Sequence, residues 1–258
     1  MGNSSLANRV ALVTGAGAGI GAGIAEYFSE AGASLVIFDI NGDAAQRMKE
    51  KIAQTSGGRC LAIQGDVSNE ADVQGAVAQT VKTFGAIDIL VNNAGIDVSS
   101  PVPEMSAGDW DRVLAVNLKG AFHFCKHVIP AMRGRGGAIV NISSVHAFAS
   151  YDHYAAYDAS KAGLLALTRT LALDHGRDGI RVNAICPGYI STPMTEEWFK
   201  EQPDPDATLR QVLSFHPLGR IGTTRDVAEA ALFLVSDASS FISGTYLTVD
   251  GAMTVAGR

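Results

Sequence analysis

A chain of 258 residues, 47% hydrophobic and 18% charged, can bury a full core and is too apolar to remain disordered. Its net charge of −6 offers no basic field for nucleic acid or anionic lipid, and no apolar run reaches the length of a membrane span. Cys60, Cys125 and Cys186 lack CxxC spacing and "MGNSSLANRV" lacks a signal-peptide core, so reduced thiols in a cytoplasmic protein are expected.

The first apolar run, "VALVTG" at 10–15, reads as a strand, and a helical pattern follows over 19–31. Between them lies "GAGAGIG", with Gly15, Gly17, Gly19 and Gly21. Glycines let a backbone turn sharply and approach a phosphate, and the helix start behind them offers free N–H groups and a favourable dipole. A strict G-x-G-x-x-G fails at Ile20 or Ala22; the spacing present is G-x-x-x-G-x-G through Gly15, Gly19 and Gly21. The second strand, "SLVIFD" at 34–39, ends on Asp39, 18 residues past Gly21. An acid there can accept hydrogen bonds from the adenosine ribose and would repel a 2′-phosphate, so NAD(H) is expected over NADP(H). No Arg or Lys stands at Ala16, Ala18, Ile40 or Asn41 to welcome that phosphate.

The alternation continues with helices over 43–54, 69–84, 109–132, 154–174 and 224–236, and strands at 60–66, 87–93, 137–143, 181–188 and 245–251. These strands are continuous apolar runs, which suits a parallel sheet covered on both faces. The chain therefore reads as α/β: one doubly wound sheet of about seven parallel strands, one domain over 1–258. Two Asn-x-Ser triplets, at Asn3 and Asn141, are chance matches without a secretory route. His123, Cys125 and His127 suggest a metal by spacing, but they stand in a helix interior and no metal site is expected. Residues 189–217 hold four prolines and break the rhythm, which predicts a lid beyond the carboxyl ends of the strands.

"YDHYAAYDASK" at 151–161 contains three tyrosines, of which only Tyr157 has a cation one helical turn on, at Lys161. A free phenol has a pKa of about 10 and is a poor base at neutral pH. A cation about 4–5 Å away at an effective dielectric of about 20 would contribute roughly 3–4 kcal/mol and lower that pKa by about 2–3 units.

With "TGAGAGIG", Asp66-Val67, "NNAG" at 92–95, Asn117, Ser144, "YDASK", "CPGYISTPM" at 186–194 and "VDGA" at 249–252, the sequence resembles the short-chain dehydrogenase/reductase family over residues 8 to 252. The resemblance implies a Rossmann-type fold and hydride transfer between NAD(P) and an alcohol or carbonyl. It implies Tyr157 as acid–base group, Lys161 as its partner and holder of the nicotinamide ribose, Ser144 as donor to the substrate oxygen and Asn117 in the proton relay. Ser144 is preferred to Ser143 because it stands thirteen positions before Tyr157. Gly15, Gly19, Ile20 and Gly21 would hold the phosphates. Asp66, Val67, Asn93, Ala94 and Gly95 would line the adenosine side, and Pro187, Gly188, Ile190 and Thr192 the nicotinamide side. His146, His153, Tyr189 and Trp198 would form a polar, aromatic substrate wall suited to hydroxylated molecules. The family's dimer contact lies on the helices at 109–132 and 154–174, so His123, Cys125 and His127 would pack between subunits, and a homotetramer is implied. Ala252, in place of a second glycine, and the acid Asp158 are mild departures.

The expected activity is NAD-dependent oxidation of a secondary alcohol, with sugars and polyols as the candidate class. The alternatives are a 3-oxoacyl thioester reductase and a non-catalytic NAD sensor on the same fold.

Overall fold

The computed structural model describes residues 6–256, so the Asn3 triplet lies outside the described residues. The first half of the chain runs β1 (Val10–Thr14), α1 (Gly19–Glu30), β2 (Ser34–Asp39), α2 (Gly42–Thr55), β3 (Cys60–Gln64), α3 (Glu70–Phe84), β4 (Ile89–Asn92), α4 (Ala107–Leu114) and α5 (Gly120–Met132). Then come β5 (Gly137–Ile142), α6 (Ala155–His175), β6 (Ile180–Pro187), β7 (Ile190–Ser191), α7 (Pro193–Lys200), α8 (Pro205–Ser214), β8 (Gly222–Thr223), α9 (Thr224–Val235) and β9 (Tyr246–Val249). Seven strands form a parallel sheet in the order β3-β2-β1-β4-β5-β6-β9. The chain builds outward from β1 and then returns to its other side, which places the topological switch between β1 and β4.

Period-two alternation explains why helices cover both faces. Ala11 and Val13 point into one core with Ile24 and Phe28 of α1, Ile52 of α2 and Val227 and Leu234 of α9. Leu12, between them, points into the other core with Val73 of α3 and Phe124 and Val128 of α5. All the predicted sheet strands and the helices between them are present, within a few residues at their ends.

Two regions differ from expectation. The predicted helix over 109–132 is interrupted by one π-helical turn, Ala115–Lys119. Its Asn117 is buried and turns from its own helix to Ile96, accepting from Ile96 N at 2.8 Å and donating to Ile96 O at 2.8 Å. Such single-turn bulges leave no trace in an apolar pattern, since they re-aim one side chain without changing composition. Residues 189–217 contain ordered helices. Pro193 and Pro205 stand in the first turns of α7 and α8 behind capping Thr192 and Asp204, where a missing N–H costs nothing. Among the described residues, no helix is long and apolar enough to cross a membrane.

Candidate active site

The end of β1 is stitched to the end of β4. Thr14 Oγ1 accepts from the backbone N–H groups of Asn93 and Ala94, each at 3.0 Å. Asn93 Nδ2 donates back to Thr14 O at 2.9 Å and Gly15 O at 3.0 Å. Gly15 and Gly19 have φ of +61° and +57°, which a side chain would strain. A Cβ on Gly21 would lie 2.3 Å from Gly15 O, so this glycine serves by letting α1 pack beneath the loop. It lies just behind the cavity, whose wall at this point is Gly15, Ala18, Gly19 and Ile20.

Side chains of Asn41, Asn69, Ser106, Thr192, Asp204 and Thr223 cap the starts of α2, α3, α4, α7, α8 and α9. The start of α1, at Ala18, has no side-chain cap. Its first-turn N–H groups are therefore available to an anion. Asp39 stands over the same loop, with Oδ2 accepting from Gly17 N at 2.8 Å and Oδ1 from Asn41 N at 2.9 Å. Each carboxylate oxygen retains a second lone pair.

A cavity of about 800 Å³ opens across these strand ends. It is bounded at one end by Gly15, Gly19, Ile20, Asp39, Asp66 and Val67, and in the middle by Asn93, Ala94 and Gly95. Ser144, Tyr157, Lys161, Pro187, Gly188, Ile190 and Thr192 bound its other end. The elongated site, with an uncapped helix start and an acid at one end, fits a dinucleotide in its size and donor set.

Lys161 is buried and donates from Nζ to Ile142 O at 2.9 Å, with Nζ 5.4 Å from the centre of the Tyr157 ring. Burial pulls its ammonium down to about 8, opposed by Cys186 and Asp97. Tyr157 is pushed above the ordinary phenol value, first by burial and then by Asp97, Asp158 and Tyr154, while a hydrogen bond with Ser144 acts in the opposite sense. This reverses the expected downward shift. The four-residue spacing put the two groups on one helix face, but Nζ is turned to Ile142 O, and loss of hydration outweighs the lowering by Ser144. Ser143 Oγ is engaged on Lys161 O at 2.9 Å, whereas Ser144 is the serine joined to Tyr157. Asn117 completes the group: a Cβ on Gly95 would lie 3.4 Å from both Asn117 Oδ1 and Lys161 Nζ.

The substrate-wall candidates divide. His146 is ringed by Tyr151, Tyr154 and Tyr157 at 4.4, 5.2 and 5.1 Å between ring centres, and its Nδ1 lies 2.6 Å from Asp158 Oδ1. Tyr189 packs between Trp198 at 6.1 Å and His216 at 5.9 Å. These form an aromatic wall beside Tyr157, yet His146, Tyr189 and Trp198 do not themselves bound the cavity. His153 does not either; it is exposed in a left-handed turn with φ of +72°, its carbonyl accepting from Ser100 N at 2.8 Å. Sequence reasoning passed over Thr14 and Asp97, although "VTG" and "NNAGID" place a hydroxyl and an acid directly at strand ends. It also read His123, Cys125 and His127 as packing between subunits. Instead, within this chain His123 meets Val67 O, Cys125 accepts from Asn92, and His127 pairs with Glu70.

A family model described as enoyl-(acyl carrier protein) reductase matches residues 15–254. The 3β-hydroxysteroid dehydrogenase 1 of Eggerthella lenta is 40% identical over 97% of this chain and 95% of its own. Cyclohexanol dehydrogenase of an Acinetobacter species is 39% identical over 96% and 95%. The solved structure of levodione reductase superposes with a TM-score of 0.93 at 34% identity, over 97% of this chain and 99% of that one. With the fold, the strand-end cavity and whole-length relatives in agreement, the chain belongs to the short-chain dehydrogenase/reductase family of oxidoreductases acting on CH–OH groups.

Proposed function

We propose that this protein is an NAD-dependent dehydrogenase of an uncharged, hydroxylated secondary alcohol, a sugar or polyol being the leading class, and that its catalytic set is Asn117, Ser144, Tyr157 and Lys161. The observation that carries the reading is the opening of Ser144, Tyr157 and Lys161 into one cavity with the glycine loop and Asp39. In alcohol oxidation Tyr157 removes the hydroxyl proton, Ser144 donates to the developing oxyanion, and Lys161 stabilises the phenolate and holds the nicotinamide ribose. When bound, the nicotinamide accepts the hydride and contributes a positive charge beside the phenol. Asn117 keeps a lone pair on Oδ1 for a relay water next to Lys161. At the far end, Asp39 would accept from the adenosine ribose, Asp66 and Val67 would flank the adenine, and the start of α1 would meet the pyrophosphate. We read residues 1–258 as one catalytic domain acting in the cytoplasm as a homotetramer.

The raised Tyr157 gives a directional pH dependence. Oxidation needs the phenolate, and burial favours the neutral phenol, so oxidation should accelerate as pH rises above 7. Reduction needs the neutral phenol and should be level over the same range. Initial rates in both directions with NAD(H) on a panel of sugars, polyols and cyclic alcohols test both statements. Flat oxidation with reduction rising toward alkaline pH would remove Tyr157 from the role. Faster NADPH-driven reduction of an acetoacetyl thioester would favour the reductase reading instead.

A further inference from the structure

Asp97 is exposed and bounds the cavity together with Ser144 and Tyr157. Its loop is held on both sides. Asn117 fastens both backbone groups of Ile96, the residue before it, and Ser100 N donates to His153 O at 2.8 Å beyond it. The carboxylate is thus presented on a braced segment. Among the described residues it has no ion-pair partner, whereas Arg112, on the same cavity, is paired with Asp109 at 2.9 Å. The field of Asp97 reaches His146, Tyr154, Tyr157 and Lys161, raising all four. The other charges facing this wall are the carboxylates of Asp158, beside His146, and Asp250, which acts on Tyr151. The cations on this cavity are Lys161, already committed to Ile142 O, and Arg112, paired with Asp109, and neither pairs with Asp97.

We infer that Asp97 is a specificity-determining residue that reserves the substrate end of the cavity for uncharged and cationic alcohols and disfavours carboxylate-bearing ones. The inference rests on the dehydrogenase reading above for its substrate class. A carboxyl group entering beside Tyr157 meets an unpaired like charge in a partly desolvated cleft, while an ammonium group meets a ready partner.

The test uses three alcohols of one shape: cyclohexanol, 4-aminocyclohexanol and 4-hydroxycyclohexanecarboxylate. Their affinities for the NAD-saturated enzyme, by calorimetry, and their kcat/KM are measured for the native protein and for Asp97→Asn, an exposed and isosteric change. In the native enzyme the ammonium compound should exceed the carboxylate by about tenfold or more, and added salt should compress that ratio. Asp97→Asn should bring the two within about threefold and move the alkaline rise of oxidation to lower pH, because the lost charge had opposed the Tyr157 phenolate. No charge order in the native enzyme, or one that survives Asp97→Asn, overturns the inference. A charge order in binding with no NADH formed from these three alcohols or from the panel of sugars and polyols leaves it standing and removes the dehydrogenase reading. NADH formation without the charge order does the reverse.

Discussion

Replacing Tyr157 by phenylalanine is expected to cut kcat by at least about 10³-fold while leaving the affinity for NAD within about threefold. The substitution removes one oxygen and keeps the ring, so the packing of Tyr157 against His146 and Tyr154 survives. What disappears is the group that moves the proton, together with its hydrogen bond with Ser144. A loss of about 10³ corresponds to roughly 4 kcal/mol of transition-state stabilisation, in the middle of what a positioned acid–base group supplies. Steady-state rates together with fluorescence titration of the cofactor separate the two quantities. Turnover within about tenfold of the native enzyme would disqualify this tyrosine, and equal loss of NAD affinity would mean that the change had disturbed the site as a whole.

At the opposite end of the cavity, Asp39→Asn should shift the preference for NAD over NADP by about 10²-fold toward NADP, read as the ratio of kcat/KM values. Two effects act in the same sense. A hydrogen bond to a charged acceptor contributes about 1.5–3 kcal/mol, so the ribose hydroxyls lose part of their anchoring. Removal of the carboxylate also ends its repulsion of a 2′-phosphate, about 1–3 kcal/mol at separations near 5 Å and intermediate dielectric. Asparagine keeps one acceptor, for Gly17 N or Asn41 N, and gives up the other of these two hydrogen bonds, so the loop keeps half of its tie to this side chain. Equal use of the two cofactors by the native enzyme would contradict the role given to Asp39.

Most of the cofactor end was legible in the sequence because its determinants are local. Glycines in a strand-to-helix turn, an acid at the next strand end and a Tyr–Lys pair one turn apart each declare themselves within a few residues. What stayed hidden depends on contacts between distant segments. His146 finds Asp158 twelve residues on, and Tyr189 finds His216 across two helices. The upward shift of Tyr157, half-buried on the cavity wall, follows from the tertiary packing around its phenol, which no spacing encodes. The helices of 189–217 were hidden in a different way, because a residue that breaks a helix interior is also a preferred residue at a helix start.

The uncapped start of α1 ties the persistence of the folded chain to its metabolic surroundings. N–H groups that no side chain satisfies would be satisfied by the phosphate of the proposed cofactor, which would then stabilise the fold as well as take part in the chemistry. At a free concentration of 100 times Kd such binding contributes about 2.7 kcal/mol, which reduces the unfolded population by about a hundredfold. Because Asp39 stands over the same turn, the dinucleotide it is proposed to select would also be the one that protects the chain from unfolding and proteolysis.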